Sequence, residues 1–212
     1  MARRHVVILA AGAARRFPPG TCKHTLDVHG TPLLSRTLNV IMTRYPYYNL
    51  SIIVNDSHPL AGRTFTRVIT TNHICESILK SAPDWAPDDM TYIIHGDVIW
   101  KPSTLTMFLS WSDSWRIGRG GVTPAGKDLA PDQYEEYGLA IHPRHKAVLK
   151  DACLDRLGKQ PSKLWEHLNE ICASGVPLEL CDSYDGITDD IDAPCNLVAF
   201  HQNVRWPEAL AP

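Results

Sequence analysis

The 212-residue chain lacks several features that would place it in a familiar class of protein. It has no large excess of either charge, because 21 Lys and Arg oppose 23 Asp and Glu for a formal net charge of -2. A strongly basic nucleic-acid binder that relies on counterion release is therefore excluded, and we expect no nucleic-acid partner. No apolar run approaches the ~20 residues that span a bilayer. With 44% hydrophobic residues the chain can nevertheless form a core, which excludes wholesale disorder.

The common cysteine, histidine and glycine motifs are absent as well. The six cysteines form no C-x-x-C pair, and the ten histidines show no H-x-x-x-H or H-E-x-x-H spacing, which argues against a zinc enzyme. Neither the G-x-x-x-x-G-K-[ST] phosphate loop nor the G-x-G-x-x-G fingerprint occurs, and no G-x-S-x-G elbow indicates a hydrolase. A chain of this size needs no disulfides, so the cysteines are interpreted as free thiols in a reducing compartment.

The N-terminus contains weak elements of a secretory signal. Arg3 and Arg4 precede an apolar run over residues 6–11, which is shorter than the usual ~7–15 residues and is soon followed by Arg15 and Arg16. We therefore predict a cytoplasmic protein without a membrane span.

Apolar periodicity predicts strands that alternate with helices. The predicted strands cover residues 5–11, 50–54, 66–70, 91–95, 116–123, 138–141 and 176–181. The first predicted helix has Thr31 as its cap and Pro32 at its first position. The other predicted helices cover 73–81, 102–111, 143–156, 161–174 and the segment from 193 onward. This alternation is typical of a layered α/β domain with a mostly parallel sheet. No linker is evident, so a single domain over residues 1–212 is expected.

The first chemically informative segment is the loop after the first strand. Leu9, Ala10, Ala11, Gly12 and Ala13 are small or apolar, so the backbone can approach a ligand closely and direct N–H groups toward it. Arg16 and Lys23 return two positive charges to the same end of the strand, where ligands bind in α/β sheets. A nucleoside triphosphate suits such a pocket. The alternative is a tight turn with solvated arginines.

This segment resembles the signature of a known family. Leu-Ala-Ala-Gly, an Arg four residues beyond that Gly, a Lys seven further on and then Gly-x-Pro-Leu-Leu are similar to the motifs of nucleotidyltransferases with a GT-A-like fold. The resemblance implies a three-layer α/β/α fold, Rossmann-like, with a mostly parallel central sheet. Members join a nucleoside triphosphate to a phosphorylated sugar, alcohol or cofactor and release pyrophosphate. Two departures are Ala14, where a second Gly is common, and Cys22, where Pro usually precedes the Lys.

Two acidic segments complete the predicted site. Asp97 follows a strand end in His95-Gly96-Asp97 and matches the family's Gly-Asp, whose Asp is a metal ligand. Further along, Asp190 and Asp192 alternate in an extended segment, so their carboxylates fall on one side and can share a hard cation, Mg²⁺. The segment resembles the family's acidic-Ile-Asp-x-Pro motif. The plainer alternatives are a turn at Asp97 and a helix cap at Asp192, with Pro194 just inside the helix.

Two further segments give weaker indications. Asn72, followed by Ser77-Ile78-Leu79, resembles the family segment that contacts base and sugar, although a plain helix start explains it nearly as well. Residues 134–139 could line an acceptor pocket, but an exposed loop before a strand is the preferred interpretation.

Together these residues predict a Mg²⁺-dependent nucleotidyltransferase with Arg16, Lys23 and Asp97 as catalytic residues. Its expected partners are an NTP, with CTP or UTP favoured, and a phosphorylated small-molecule acceptor such as a sugar phosphate or phosphoalcohol. Self-association into a homo-oligomer is left open. Three alternatives also stay open: a GT-A glycosyltransferase that uses a sugar nucleotide, a molybdenum-cofactor guanylyltransferase, and a non-catalytic nucleotide-binding module.

Overall fold

The computed structural model describes residues 3–12, 16–71, 73–130, 133–157, 164–173, 178–183 and 185–204. The strands in these ranges are β1 (His5–Ala10), β2 (Asp27–Val28), β3 (Thr31–Pro32), β4 (Asn49–Val54), β5 (Thr66–Val68), β6 (Thr91–His95), β7 (Val98–Ile99), β8 (Trp115–Arg119), β9 (Glu135–Ile141), β10 (Glu179–Asp182) and β11 (Asp189–Asp190). The helices are α1 (Leu33–Arg44), α2 (Ile74–Ser81), α3 (Pro102–Ser110), α4 (Lys146–Leu157), α5 (Leu164–Ala173) and α6 (Pro194–Asn203).

The described residues contain a seven-stranded sheet in the order β10-β8-β9-β6-β1-β4-β5. The pairs β10–β8, β6–β1, β1–β4 and β4–β5 are parallel, and β9 runs antiparallel to both of its neighbours. The prediction of a mostly parallel central sheet is confirmed.

Side-chain alternation along β1 shows why helices cover both faces. Val6, Ile8 and Ala10 belong to one buried cluster, which includes Leu34 of α1 and Phe108 of α3. The intervening residues of β1 pack in a second cluster with α2 and α4. Because successive strand residues point to opposite faces, a continuously apolar strand must be buried on both sides. The three-layer α/β/α prediction is therefore confirmed.

The start of the first helix differs from the prediction. Thr31 is not the cap and Pro32 is not the first helical residue: both form β3, which pairs antiparallel with β2, and Pro32 is the N-cap of α1. His29 and Gly30 have positive φ values of 50° and 79°, which suit a tight hairpin turn, and Asp27 Oδ1 accepts a hydrogen bond of 2.8 Å from the Gly30 N–H. Because Thr31 and Pro32 belong to the hairpin, α1 begins at Leu33.

Two more boundaries correct the sequence analysis. Residues 134–139 are not an exposed loop, because β9 starts at Glu135 and the side chains of Glu136 and Tyr137 are buried. The capping residue of α6 is Ala193 rather than Asp192, although Pro194 is at the first helical position as expected. Asp192 is thereby left to project into the site described below.

Among the described residues no helix has both the length and the apolar character needed to cross a bilayer.

Phe108 supplies a test of the core between the sheet and α3. Its fully buried ring lies 5.8 Å from the rings of both Tyr92 and Trp100. We expect Phe108→Ala to lower the free energy of unfolding by about 3–5 kcal/mol, as cavities left by Phe do. The neighbouring Met107 is 42% exposed, so Met107→Ala is expected to change stability by only about 0.5 kcal/mol. Urea denaturation of both variants measures this, and equal losses would contradict the packing described.

Candidate functional site

The carboxyl ends of β1 and β6 form the floor of the site. These strands are parallel neighbours with Leu9 opposite His95, so the segments that follow them leave the same edge of the sheet. The Gly96 N–H donates a 2.9 Å hydrogen bond to the Leu9 carbonyl. A Cβ on Gly96 would lie 3.0 Å from Ala10 Cβ and 3.1 Å from His24 Cδ2, so glycine permits this close approach.

The C-terminal acidic segment reaches this edge through a short ladder. β11 pairs antiparallel with β7, which places Asp190 opposite Val98, and the Ile191 N–H donates to the Asp97 carbonyl at 3.1 Å. Asp189 anchors the ladder: its buried carboxylate accepts hydrogen bonds from the Tyr137 hydroxyl at 3.0 Å and the Ala125 N–H at 2.6 Å. Asp190 and Asp192 are thereby brought close to the end of β6, although they are far from β6 in sequence.

Lys23 lies between two of the predicted metal ligands. Its ammonium pairs with the Asp97 carboxylate and lies 3.8 Å from Asp192 Oδ1. Burial alone would lower the pKa of Lys23, but the facing carboxylates reverse this and raise it. Burial likewise opposes ionisation of Asp97, yet Lys23 holds the pKa of that carboxyl below its usual range. Arg16 adds a 2.8 Å contact to Asp192 Oδ2 from a largely exposed position.

A second cation, Lys127, was not found by the sequence analysis. Its ammonium pairs with Asp190, and lies 3.0 Å from Glu135 Oε2 and 3.6 Å from Asp192 Oδ2. Burial would lower the pKa of Lys127, but the carboxylates raise it instead. Burial and the nearby Glu135 carboxylate raise the pKa of Asp190 well above its usual value. The cluster therefore carries more negative charge than it can easily hold.

Glu135, Asp190 and Asp192 offer one carboxylate oxygen each within 4.8 Å of one another. Oxygen donors of this kind are the ligands that Mg²⁺ prefers. The carboxylate set therefore fits a hard divalent cation. Glu135 was missed because β9 was predicted to begin at Gly138; the alternation of Glu135, Tyr137 and Leu139 is the signal that could have extended it. Lys127 ends a G-x-x-x-x-G-K match over residues 121–127 that lacks the closing Ser or Thr, so no motif was assigned to it.

A cavity of about 300 Å³ adjoins the carboxylates. It is bounded by the end of β1, by the start of α2 and by residues of the charged cluster. Its lining residues are Leu9, Ala11, Gly12, Lys23, His24, Thr71, His73, Ile74, Ser77, His95 and Asp97. A volume of this size is at the lower end of small-molecule sites.

Most of the predicted site residues lie together at this edge of the sheet. Leu9, Ala11, Gly12, Lys23 and Asp97 line the cavity, while Ala10 is fully buried beneath it. Arg16, Asp190 and Asp192 belong to the adjoining charged cluster. Ala13 and Asn72 lie outside the described residues, so their predicted roles stay predictions.

Comparison with solved structures identifies the fold. The inositol-1-phosphate CTP transferase of T. maritima superposes with a TM-score of 0.64 at 15% identity, covering 97% of this chain and 99% of that one. The chain has a nucleotidyltransferase fold. A Bacillus anthracis protein assigned as a glucose-1-phosphate thymidylyltransferase gives the same TM-score of 0.64 at 14% identity and 98% coverage of each chain. The 4-diphosphocytidyl-2C-methyl-D-erythritol synthase of Anaerococcus prevotii gives 0.64 at 11% identity, covering 95% and 98%.

Comparison with models of protein families and with curated protein sequences finds no match.

The Lys23–Asp97 pair predicts a pH dependence of stability. Because the pKa of Asp97 is below its ordinary value in the folded protein, the ionised carboxylate stabilises the fold above a pH of about 4, and this contribution disappears as the pH falls below that value. We expect Asp97→Asn to lower the melting temperature at neutral pH and to do so progressively less at acid pH. Melting curves in chelator measure the difference. Asp151→Asn, on the exposed face of α4, is the control and is expected to show no such trend.

Removing Lys127 tests whether the carboxylate cluster accepts a divalent cation. Lys127→Ala leaves Glu135, Asp190 and Asp192 without their shared counter-charge. We expect a lower melting temperature in chelator and a larger rise on adding Mg²⁺ than the unmodified chain shows, because the ion replaces the lost charge. Lys150→Ala on α4 is the control. A Mg²⁺ response equal to that of the unmodified chain would contradict the cation fit.

Proposed function

We propose that the chain is a Mg²⁺-dependent nucleotidyltransferase. It joins an NTP, with CTP or UTP favoured, to a phosphorylated small acceptor, a sugar phosphate or phosphoalcohol, and releases pyrophosphate. The observation that carries the proposal is the position of Lys23, whose ammonium contacts both Asp97 and Asp192 at the edge of the 300 Å³ cavity. Three segments far apart in sequence converge there with the charges that phosphoryl chemistry requires.

The names of the structural neighbours support the substrate class. One acts on inositol 1-phosphate with CTP, another is assigned to glucose 1-phosphate, and the third forms a diphosphocytidyl product. Two of these acceptors are small phosphate monoesters. The similarity in fold, together with the charged cluster, makes the same kind of acceptor the best candidate for this chain.

The chemistry asks little of the protein beyond position and charge. An oxygen of the acceptor phosphate attacks the α-phosphorus of the NTP in line. The bond from that phosphorus to the oxygen bridging the β-phosphorus breaks, and its electron pair leaves with pyrophosphate. A phosphate monoester is already an anionic nucleophile, so no general base is needed. Lys23 and Arg16 hold the phosphate oxygens and balance their charge as the transition state forms.

Asp97, Asp190 and Asp192 are the proposed ligands for Mg²⁺, and Glu135 is added to them on the geometry of the cluster. The ion, when bound, supplies further neutralisation of the triphosphate. Before the substrates enter, Lys23 and Lys127 balance the charge of these carboxylates.

The nucleoside is proposed to occupy the cavity beside β1. The backbone of residues 9–13 faces the base, and Asn72 contacts the base or sugar from the segment before α2. Thr71 and His73, on either side of Asn72, line the cavity. A single domain, a cytoplasmic location and the absence of a nucleic-acid partner belong to the same proposal, which leaves self-association open.

The alternative functions are distinguished by the charged residues. A GT-A glycosyltransferase typically carries Asp-x-Asp at the strand that binds the metal, whereas this chain has His95-Gly96-Asp97. In a glycosyltransferase, Lys23 would also have no clear role. A non-catalytic binding module has no need for carboxylates from two distant segments. A molybdenum-cofactor guanylyltransferase uses the same chemistry and differs in base and acceptor.

Replacing either member of the Lys23–Asp97 pair tests the mechanism. We expect Lys23→Ala and Asp97→Ala to lower kcat for pyrophosphate release by about two to three orders of magnitude, since each removes a group that acts on transition-state charge. The controls are Lys150→Ala and Asp151→Ala, adjacent on α4 and away from the site. Circular dichroism verifies that all four variants fold. Near-normal turnover in both site variants would contradict the assignment.

A further inference from the structure

A cluster of softer ligands lies beside the carboxylate site. Cys22, His24 and His58 each offer one sulfur or nitrogen atom, and the three atoms lie within 4.8 Å of one another. Cys22 Sγ is 3.8 Å from His24 Nδ1, and the rings of the two histidines have centroids 5.3 Å apart. A thiol and two imidazoles are a donor set that hard cations such as Mg²⁺ do not favour.

Two loops of the fold bring these residues together. Cys22 precedes the short 3-10 turn Lys23–Thr25, and His24 lies within it, with its ring against Gly96. His58 comes from the connection between β4 and β5, where its N–H donates to the Asn55 carbonyl at 3.2 Å. The sequence showed no zinc motif because His58 is 34 residues away from His24, and only the folded chain brings the two side chains together.

The environment of His58 indicates a missing partner. The side chain is only 5% exposed, and its Nδ1 accepts a 3.1 Å hydrogen bond from the Leu60 N–H. Its Nε2 is buried and has no hydrogen-bond partner among the residues that the structure describes. Leaving a buried polar atom unsatisfied is costly, so such an atom calls for an explanation.

We propose that Cys22, His24 and His58 form a binding site for a divalent transition metal ion of the Zn²⁺ class. Zinc bonds to sulfur and nitrogen of about 2.3 and 2.0 Å place tetrahedral ligands roughly 3.3–3.6 Å apart, so only a small contraction of the cluster is needed. The Cys22 thiol proton leaves to solvent. Because Nδ1 accepts from the Leu60 N–H, the neutral His58 ring carries its proton on Nε2. Metal binding at Nε2 moves that proton to Nδ1 and breaks the Leu60 hydrogen bond, so the metal–nitrogen bond must outweigh the loss of an acceptor for the Leu60 N–H.

The fourth coordination position opens on a cavity. A volume of about 450 Å³ is lined by all three ligands together with Asn55 and Ser57, so the bound ion keeps a side accessible to water or to a ligand. Cys22 is the residue that departs from the nucleotidyltransferase signature, where Pro usually stands before Lys23. The metal site gives that departure a chemical role.

The ligands flank Lys23, which ties the metal to the neighbouring site. An ion held by Cys22 and His24 fixes the backbone on both sides of Lys23, and His58 fastens this turn to the β4–β5 connection. The metal therefore positions Lys23 without contacting the reacting phosphates. Metal binding itself is independent of the proposed nucleotidyl transfer, because the argument uses none of the transferase substrates.

Titration of the full chain with Co²⁺ tests the proposal. The protein is freed of metal, kept reduced with a phosphine and titrated in excess Mg²⁺ without nucleotide. We expect one Co²⁺ per chain, with a thiolate-to-cobalt charge-transfer band and the intense visible bands of tetrahedral coordination. Zn²⁺ should abolish this spectrum. Cys22→Ser should remove the charge-transfer band, and His58→Ala should weaken binding by at least about tenfold. Cys195→Ser, at an exposed cysteine of α6, is the matched control and should leave the titration unchanged.

Three results would overturn the site: no charge-transfer band in the unmodified chain, a band that persists in Cys22→Ser, or unchanged affinity in His58→Ala. Circular dichroism of each variant verifies the fold. Since no nucleotide is present, failure of the transferase assay leaves this result standing, and a failed titration leaves the transferase proposal standing.

Discussion

The contact of the Lys23 ammonium with Asp97 and Asp192 holds the site together, because it joins three segments that the chain separates widely. Lys23 belongs to the loop after β1, Asp97 to the end of β6, and Asp192 to the segment after β11. The parallel pairing of β1 with β6 and the short ladder between β7 and β11 bring the segments to one edge of the sheet. Each lone charge would be costly at this depth, and only their combination is stable.

The same arrangement explains why the site has two lysines with distinct surroundings. Lys23 balances Asp97 and Asp192 beside the 300 Å³ cavity, whereas Lys127 balances Glu135 and Asp190. Positive charge is thus already distributed over a group of carboxylates that would otherwise repel one another. This charge pattern is the basis for the proposal that the site takes an anionic substrate together with a divalent cation.

The sequence predicted the parts of the molecule that depend on local pattern. The continuous apolar run of β1 predicted burial on both faces, and the Gly-Asp after β6 predicted a carboxylate at the strand end. The β2–β3 hairpin, the early start of β9 at Glu135 and the inclusion of Lys127 were missed. For β9, the alternation from Glu135 to Leu139 was a usable signal that was not followed. The hairpin, however, depends on a turn conformation at His29–Gly30 and the position of Lys127 on tertiary contacts, which neither composition nor periodicity encodes. The Cys22–His24–His58 cluster was missed for the same reason.

Pyrophosphate release with each of CTP, UTP, GTP and ATP, in Mg²⁺ and against a panel of sugar phosphates and phosphoalcohols, tests the central claim most directly. The account predicts release that requires both a nucleotide and a phosphorylated acceptor, with CTP or UTP preferred, and the productive pair names the base and the acceptor together. No release with any pair, alongside tight binding of a sugar nucleotide, would contradict nucleotidyl transfer and favour glycosyl transfer on the same fold.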